Sequence, residues 1–201
     1  MIITEILPYG KMKSRVLTDG DLVFCVYKGE LKKYGLEEGA ELSERMTENV
    51  LMPLLTKRAR ERIVRLLKDR DYPEDELRRK LKASWYPEQC ISDAVQWARD
   101  KHYVDDRRYA ENFIRWNGTG KSRRRLLYDL TQKGISRELA EELLEEMPPD
   151  EEAQIRKELE KQNYRPENAD PKERQRIAAK LSRRGYSWTQ IENAMRHAEE
   201  V

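Results

Sequence analysis

A threefold internal repeat is the feature of this sequence that most constrains its fold. Three six-residue segments align with spacings of 49 and then 51 residues: Glu76 to Leu81, Arg125 to Leu130 and Arg176 to Leu181. Apolar positions beyond these segments also align, as at Val95, Leu144 and Met195. Repeats of this length are typical of proteins whose units bury their apolar faces against their neighbours. The sequence therefore predicts an elongated, curved body, a shape that favours macromolecular partners over small ligands.

Each repeat is predicted to contain three helices. From Thr56 onward, apolar residues recur at helical spacing among Glu, Lys, Arg and Leu, which favour helices. The first helix of each repeat is predicted at about 57–70, 106–116 and 150–161. The aligned segments then form the second helix, and the third follows after a short turn.

The turn between the second and third helices carries capping signals in two of the repeats. Gly134 and Gly185 fall where a left-handed cap favours glycine, and Ser136 and Ser187 fall where a hydroxyl can cap the next helix. In the first repeat these two places hold Trp85 and Pro87. Proline is acceptable at a helix start, but this turn is predicted to differ in detail from the other two.

The first 50 residues have a different character. Short β-rich runs flank Asp19-Gly20, a dipeptide that supplies the positive φ angles of a tight hairpin turn. A hairpin this small needs a surface to pack on, so we expect it to dock on the helical body. The predicted fold is mainly α, with three tandem three-helix repeats at 56–104, 105–148 and 149–201 after a β-hairpin-containing extension at 1–55.

Composition excludes several classes of protein. Lys and Arg (40) nearly balance Asp and Glu (38), so net charge predicts no partner. There is no run of about 18 apolar residues, and residues 1–5 lack a signal-peptide pattern, so we expect a cytoplasmic, monomeric protein without membrane contact. Cys25 and Cys90 are far apart and have no neighbouring ligands. Buried free thiols are therefore expected, and no metal or cofactor.

The charges are unevenly distributed along the chain. Residues 138–152 contain eight acidic and no basic side chains, whereas basic clusters fall at related places in the three repeats. These clusters could form a discontinuous stripe facing a polyanionic or acidic partner, although solvated helix faces paired with nearby carboxylates would explain them equally well. The candidate partner-binding residues are Arg78, Arg79, Lys82, Lys121, Arg123, Arg124, Arg125, Arg176, Arg183 and Arg184.

Three apparent motifs are interpreted as structural. Gly118 to Ser122 resembles the end of a phosphate-binding loop, but it follows a helical pattern and lacks the required first glycine. Gly118 to Gly120 are therefore expected to form a linker, with the basic group opening the next helix. Residues 181–190 resemble a helix-turn-helix, but the same turn recurs in the repeats and is expected to serve packing. The four tryptophans are expected mainly in the core. His102 and His197 have no nucleophilic partner at suggestive spacing, so no catalytic centre is predicted.

The central part of the chain resembles the RecX family. The resemblance rests on Leu66-Leu67 with Arg70, on Glu76-Leu77 with Lys80-Leu81, on Tyr103 to Ala110, and on Leu130 with Lys133-Gly134-Ile135. It is most specific from about Arg58 to Leu144, and Trp85 departs from the family's usual glycine. The resemblance implies three three-helix repeats, binding in the groove of the RecA filament on single-stranded DNA, and inhibition of filament growth, ATP hydrolysis and strand exchange.

Two alternatives remain from the residues alone. One is a protein built from helix-turn-helix-like repeats that binds single- or double-stranded DNA directly, whose affinity would fall steeply with salt and would not depend on RecA. The other is an enzyme acting on nucleic acid or nucleotides, for which the incomplete glycine-lysine-serine motif is the main support.

Overall fold

The computed structural model describes residues 1–198 and divides into two compact units, Met1–Asp105 and the part that begins at Asp106. The first unit contains a small antiparallel sheet and the first three-helix repeat. The second unit contains the other two repeats. The mainly α fold with a small N-terminal sheet is therefore confirmed, and four hydrophobic clusters form its core.

The N-terminal sheet has the strands β1 (Ile3–Tyr9), β2 (Lys13–Thr18) and β3 (Val23–Tyr27) in the order β1-β2-β3. The hairpin predicted around Asp19-Gly20 is the β2–β3 pair, in which Val16 lies opposite Phe24. The predicted two-residue turn is wrong, because residues 19–22 form the loop and neither Asp19 nor Gly20 has a positive φ. The remaining strand of the sheet, β1, is longer than the short β-rich run at Ile2-Ile3 in the sequence because it pairs with β2 along almost its whole length. Burial alternates along β2, so one face of the sheet is turned to the interior.

The helices of the first unit are α1 (Lys28–Tyr34), α2 (Glu44–Met46), α3 (Met52–Leu67), α4 (Glu74–Lys82) and α5 (Glu88–Asp100). A π-helical turn, Thr47–Leu51, leads directly into α3. The predicted start near Lys57 is therefore wrong. The helix begins earlier because Leu51 and Leu55 extend the buried stripe of apolar residues, and Pro53 is accommodated directly after the π-helical turn.

The sheet packs on the helices of its own unit, as predicted. Phe24 and Val26 of β3 share one hydrophobic cluster with Leu51, with Leu55 of α3 and with Cys90 of α5. All five side chains are buried. Cys25 and Cys90 are both free thiols and both are buried, as expected. The extension thus shares a core with the first repeat and is not a separate domain.

The second unit contains two repeats of three helices each. They are α6 (Asp106–Asn117), α7 (Arg123–Gln132) and α8 (Arg137–Glu146), followed by α9 (Glu151–Lys161), α10 (Pro171–Arg183) and α11 (Trp188–Arg196). The aligned apolar positions are buried in both repeats, including Leu130 with Leu144 and Leu181 with Met195. Ser136 and Ser187 cap α8 and α11 as predicted, each accepting a backbone N–H at 3.2 Å.

The turn between the second and third helices has the same backbone form in all three repeats. Trp85, Gly134 and Gly185 have φ angles of +62°, +93° and +94°. In each turn the next residue donates its N–H to a carbonyl five residues back, as from Tyr86 to Leu81 at 3.3 Å. The prediction that the first turn differs is therefore wrong for the backbone. What differs is that a tryptophan adopts a left-handed conformation that favours glycine.

The expectation that the tryptophans lie mainly in the core is wrong for three of the four. Trp116, Trp188 and Trp85 are 81%, 64% and 36% exposed, whereas Trp97 packs against the core of the first repeat. Trp116 lies near the end of α6 and Trp188 is the first residue of α11, whereas aliphatic side chains together with Tyr164 and Tyr186 fill the interior of the second unit. Within residues 1–198, no helix is both long enough and apolar enough to cross a membrane.

Candidate functional site

The start of α7 presents a group of basic side chains. Ser122 caps this helix by accepting the N–H of Arg125 at 3.2 Å, so the residues on either side of the cap are held at the first turn. Positive side chains are unfavourable near a helix N-terminus because the helix dipole is positive there. Glu151 offsets this locally, since its carboxylate accepts the backbone N–H of Arg123 at 2.7 Å.

A close contact joins this group to the end of α10. The hydroxyl of Ser122 donates to the carbonyl oxygen of Arg184 at 2.8 Å. A Cβ atom at Gly185 would lie 2.5 Å from that hydroxyl oxygen and 3.6 Å from the Cβ of Arg124, so the backbone approaches closely only because residue 185 is glycine. The structure thereby brings the predicted clusters of the second and third repeats together.

A groove of about 510 Å³ lies at this junction, and we call it the basic groove. Six basic side chains line it together with Thr119, Gly120, Gln154, Glu158 and Tyr186. The six are Lys121, Arg125, Lys157, Lys161, Arg183 and Arg184. The sequence analysis missed Lys157 and Lys161, although their spacing of four residues on α9 places them on one helix face.

Glu158 is the acidic residue among these lining side chains, and it organises them. Its side chain is 9% exposed and forms salt bridges of 2.7 Å to both Lys180 and Arg184. The hydrogen bond from Lys180, followed by that from Arg184, holds the pKa of Glu158 below its usual value even though desolvation acts in the opposite direction. The carboxylate therefore stays charged and fixes the guanidinium of Arg184 at the groove.

The basic groove keeps a surplus of positive charge. Lys121 and Arg125 share one carboxylate, that of Asp129, at 2.9 and 3.0 Å. Lys157 and Lys161 are exposed and form no salt bridge with any residue of the described chain. One lining carboxylate among six lining cations cannot neutralise the site, so its potential attracts anions.

The remaining candidates of the second unit lie around this groove or on α10. Arg123 reaches Glu145 only at 3.8 Å, and both side chains are exposed. Arg124 and Arg176 are exposed and form no salt bridge within residues 1–198, and Arg176 does not line the groove. Arg183 donates its Nε to the carbonyl oxygen of Ala179 at 3.2 Å.

The first cluster lies on α4 in the other unit and is mostly paired. Arg78 contacts Glu88 at 3.5 Å and the hydroxyl of Ser92 at 3.2 Å. Arg79 pairs with Asp75 at 3.0 Å, one helical turn earlier. Lys82 is exposed. Exposed pairs of this kind contribute little free energy, so the role of Arg78 and Arg79 in partner binding stays a prediction.

Aromatic side chains accompany the cations of the second unit. Tyr128 is 53% exposed, and the guanidinium carbon of Arg125 lies 5.3 Å from the centroid of its ring. Arg125 also lines the basic groove, so this exposed tyrosine lies next to one of the groove's cations. Basic side chains next to exposed aromatic rings are typical of surfaces that contact nucleic acid.

The acidic segment is partly neutralised within the unit. Arg107 bonds to Glu142 at 2.7 Å and to Glu146 at 2.8 Å, and it also reaches Glu111 at 3.2 Å. These carboxylates, Glu142 first, raise the pKa of Arg107 above its already high value. The segment 138–152 therefore serves in part to tie α6 to α8.

The loop that resembles a phosphate-binding motif is occupied by structural contacts. The ammonium of Lys121 bonds to Asp129 at 2.9 Å, and the hydroxyl of Ser122 is used by the helix cap and by Arg184. The interpretation of Gly118 to Gly120 as a linker, with the basic group opening the next helix, is confirmed. His102 and His197 are both exposed at helix ends, one in each unit.

The chain is similar to known proteins along nearly its whole length. Residues 105–144 match the family model described as RecX, second three-helix domain, and residues 150–195 match the one described as RecX, third three-helix domain. The Regulatory protein RecX of Caldanaerobacter subterraneus subsp. tengcongensis is 30% identical over 97% of this chain and 98% of its own. That of Vibrio campbellii is 32% identical over 71% of this chain and 92% of its own.

Solved structures show the same fold. A crystal structure of regulatory protein RecX superimposes with a TM-score of 0.64 and 22% identity, covering 95% of this chain and 97% of the other. The crystal structure of RecX from Lactobacillus salivarius gives a TM-score of 0.62 at 18% identity over 73% of this chain and 98% of the other. Since the sequence similarity to the Caldanaerobacter protein spans both chains, this protein belongs to the RecX family of regulatory proteins.

Proposed function

We propose that this protein is a non-catalytic regulator that binds the RecA filament on single-stranded DNA and inhibits filament growth, ATP hydrolysis and strand exchange. The observation that carries the proposal is the basic groove, where two repeats jointly present six cations around one buried carboxylate. The family's name as a regulatory protein supports a binding role rather than catalysis. The protein acts as a cytoplasmic monomer in this proposal.

The charge of the groove suits a nucleoprotein filament. Lys157, Lys161 and Arg183 are exposed, so they are available to phosphates or to acidic side chains of RecA. A filament offers the same surface at every protomer, so several weak contacts made by one tandem-repeat chain add up to strong binding. Arg124 and Arg176 add exposed positive charge to the same unit.

The test is ATP hydrolysis by RecA preassembled on single-stranded DNA, titrated with this protein at substoichiometric ratios. The variant Lys157→Ala/Lys161→Ala/Arg183→Ala removes three exposed groove charges and leaves the Glu158 salt bridges intact. The matched control, Lys172→Ala/Arg174→Ala/Arg196→Ala, removes the same charge from exposed positions of the same unit outside the groove.

We expect the native protein and the control to inhibit hydrolysis, and the groove variant to need about tenfold more protein for the same effect, a loss of roughly 1.4 kcal/mol. Equal inhibition by both variants would show that the groove is not the contact surface. Failure of the native protein to inhibit at any ratio would contradict the proposed function itself.

A direct DNA-binding role is the second candidate, supported by the exposed faces of Tyr128 and Trp188. Titrating labelled single-stranded DNA in increasing salt, with and without RecA, separates the two functions. A filament regulator binds the RecA-coated DNA much more tightly than bare DNA. A direct binder has the same affinity for DNA whether or not RecA is added.

A further inference from the structure

A second cationic pocket lies in the first unit, between the edge of the sheet and α3, and we call it the tyrosine pocket. Its volume is about 470 Å³, and it is lined by three tyrosines, Tyr9, Tyr27 and Tyr86. The basic side chains that line it are Lys13, Lys57, Arg58, Arg62 and Arg65. None of these eight residues belongs to the basic groove or to the predicted candidate set.

The sheet and the helix build this pocket together. Tyr9 and Tyr27 are the last residues of β1 and β3, and Lys13 is the first residue of β2, so all three meet at one end of the sheet. The spacing of Arg58, Arg62 and Arg65 places them on one face of α3. The hydroxyl of Tyr9 donates to the carbonyl oxygen of Ala83 at 3.3 Å, which ties the sheet to the end of α4.

Arg58 anchors the floor of the pocket. Its guanidinium group forms a two-pronged salt bridge with Glu30, one contact being 2.8 Å, and this interaction lowers the pKa of Glu30. The guanidinium carbon lies 4.8 Å from the centroid of the Tyr27 ring, and the ammonium of Lys13 lies 5.1 Å from the same centroid. The ring is thus fixed beside two cations, with 43% of the tyrosine exposed.

The other cations of the pocket are uncompensated. Lys57, Arg62 and Arg65 form no salt bridge with any side chain among residues 1–198, and the acidic residue that lines the pocket is Glu61. Arg107 in the second unit, by contrast, is surrounded by three glutamates. Positive side chains three or four residues apart on one helix repel each other slightly. A bound anion offsets this repulsion, and the relief strengthens its binding.

We propose that the tyrosine pocket binds the sugar-phosphate backbone of single-stranded nucleic acid, with one base stacked on an exposed tyrosine face. Phosphates attract the unpaired cations, and Tyr9 and Tyr27, at 37% and 43% exposure, supply aromatic faces that an acidic peptide does not need. Only an unpaired base reaches such faces, which favours a single strand over a duplex. The volume suits one nucleotide unit.

This proposal does not rest on the proposed regulation of RecA, because the pocket is formed wholly by residues of the first unit. The test measures binding of the full chain to fluorescently labelled oligo(dT) by anisotropy between about 50 and 200 mM salt, without RecA. The pocket variant is Lys57→Ala/Arg62→Ala/Arg65→Ala. The charge-matched control is Lys32→Ala/Lys68→Ala/Lys101→Ala, at exposed positions of the same unit outside the pocket.

We expect the pocket variant to bind at least about tenfold more weakly than the control and to lower the slope of log K against log salt by about 2, since each phosphate contact contributes about 0.7 for single strands. Tyr27→Leu is expected to weaken binding about tenfold at an unchanged slope, because it removes stacking and no charge. Lys57→Gln/Arg65→Gln, at two exposed positions, provides a milder variant if the triple variant unfolds.

Several outcomes would overturn the proposal. They are failure of the native chain to bind oligo(dT), equal binding by the pocket variant and the control, and binding of a polyglutamate peptide that depends on the pocket cations but not on Tyr27. If oligo(dT) binding depends on the pocket while RecA hydrolysis is not inhibited, the proposed function fails and the tyrosine pocket stands.

Discussion

The same left-handed turn is used differently in the two units. In the first repeat the turn residue is Trp85, which is 36% exposed and lies beneath the guanidinium of Arg15, at 4.4 Å from the ring centroid. In the third repeat it is Gly185, against which the hydroxyl of Ser122 packs so closely that no side chain fits. One turn contacts the N-terminal sheet with a large side chain, and the other contacts the preceding repeat with bare backbone.

This difference shows that the repeat determines the backbone path, whereas the neighbour determines the residue. A glycine at position 85 would make the turn without strain but would offer Arg15 no ring. A tryptophan at position 185 would displace the start of α7 and with it the basic groove. The position that looks irregular in the sequence is thus matched to the sheet that only the first unit possesses.

The largest expected effect is that of Gly185→Ala. A φ of +94° strains any residue with a Cβ, and the added atom would overlap the Ser122 hydroxyl. Together these effects should lower the free energy of unfolding by about 3 kcal/mol, measured by urea denaturation. Gly35→Ala is the control, because its φ is +61° but nothing lies within 4 Å of the new Cβ. A loss of about 1 kcal/mol is expected there, and equal losses at both positions would refute the packing argument.

A smaller effect is expected for Glu158→Gln, which removes the buried negative charge that pairs with Arg184, the residue before Gly185. The free energy of unfolding should fall by about 1–2 kcal/mol at pH 7, because charge-assisted hydrogen bonds to Lys180 and Arg184 are lost. The pKa of Glu158 is lowered by folding, so its stabilisation is present above the ordinary value and is lost as the pH falls through the lowered one.

The difference in the free energy of unfolding between the native protein and Glu158→Gln should therefore be largest at pH 7 and shrink below about pH 4. Glu152→Gln on the same helix is the control, because its salt bridge to Arg156 is exposed at both ends. That variant should change the free energy of unfolding by less than about 0.5 kcal/mol. A difference for Glu158→Gln that does not vary with pH would exclude ionisation as the cause.

The smallest effect concerns Trp85 and is visible only in a double-mutant cycle. Trp85→Gly relieves a strain of about 1 kcal/mol but loses a cation–π contact of similar size, so alone it should be nearly neutral. In an Arg15→Ala background the contact is already absent, and Trp85→Gly should then stabilise the protein by about 1 kcal/mol. Equal effects in both backgrounds, measured by thermal unfolding, would mean that Arg15 and Trp85 do not interact.

The sequence predicts periodic features well and spatial convergence poorly. The three-helix repeats, the serine caps and the β2–β3 hairpin follow from local spacing. The early start of α3 was missed because the regular helical spacing was read only from Thr56 onward.

The candidate site shows the same contrast. The clusters around Lys121 and Arg183 could be identified as runs of charge, but Lys157 and Lys161 sit among glutamates in the sequence and carry no such signal. Their role depends on α9 packing beside α7 and α10. The tyrosine pocket was missed for the same reason, since its residues come from three strands, from α3 and from the turn between α4 and α5.

The burial of Cys90 gives the N-terminal sheet a built-in reporter. This thiol is fully buried where the sheet meets α3 and α5, with its sulfur 3.9 Å from that of Met52, and burial raises its pKa. An alkylating reagent reacts with the thiolate form of cysteine. Because Cys90 is buried and its raised pKa disfavours the thiolate, it is protected while the sheet remains docked. The rate of alkylation at this position therefore counts how often the sheet lifts away from the helices, an opening that would also dismantle the tyrosine pocket.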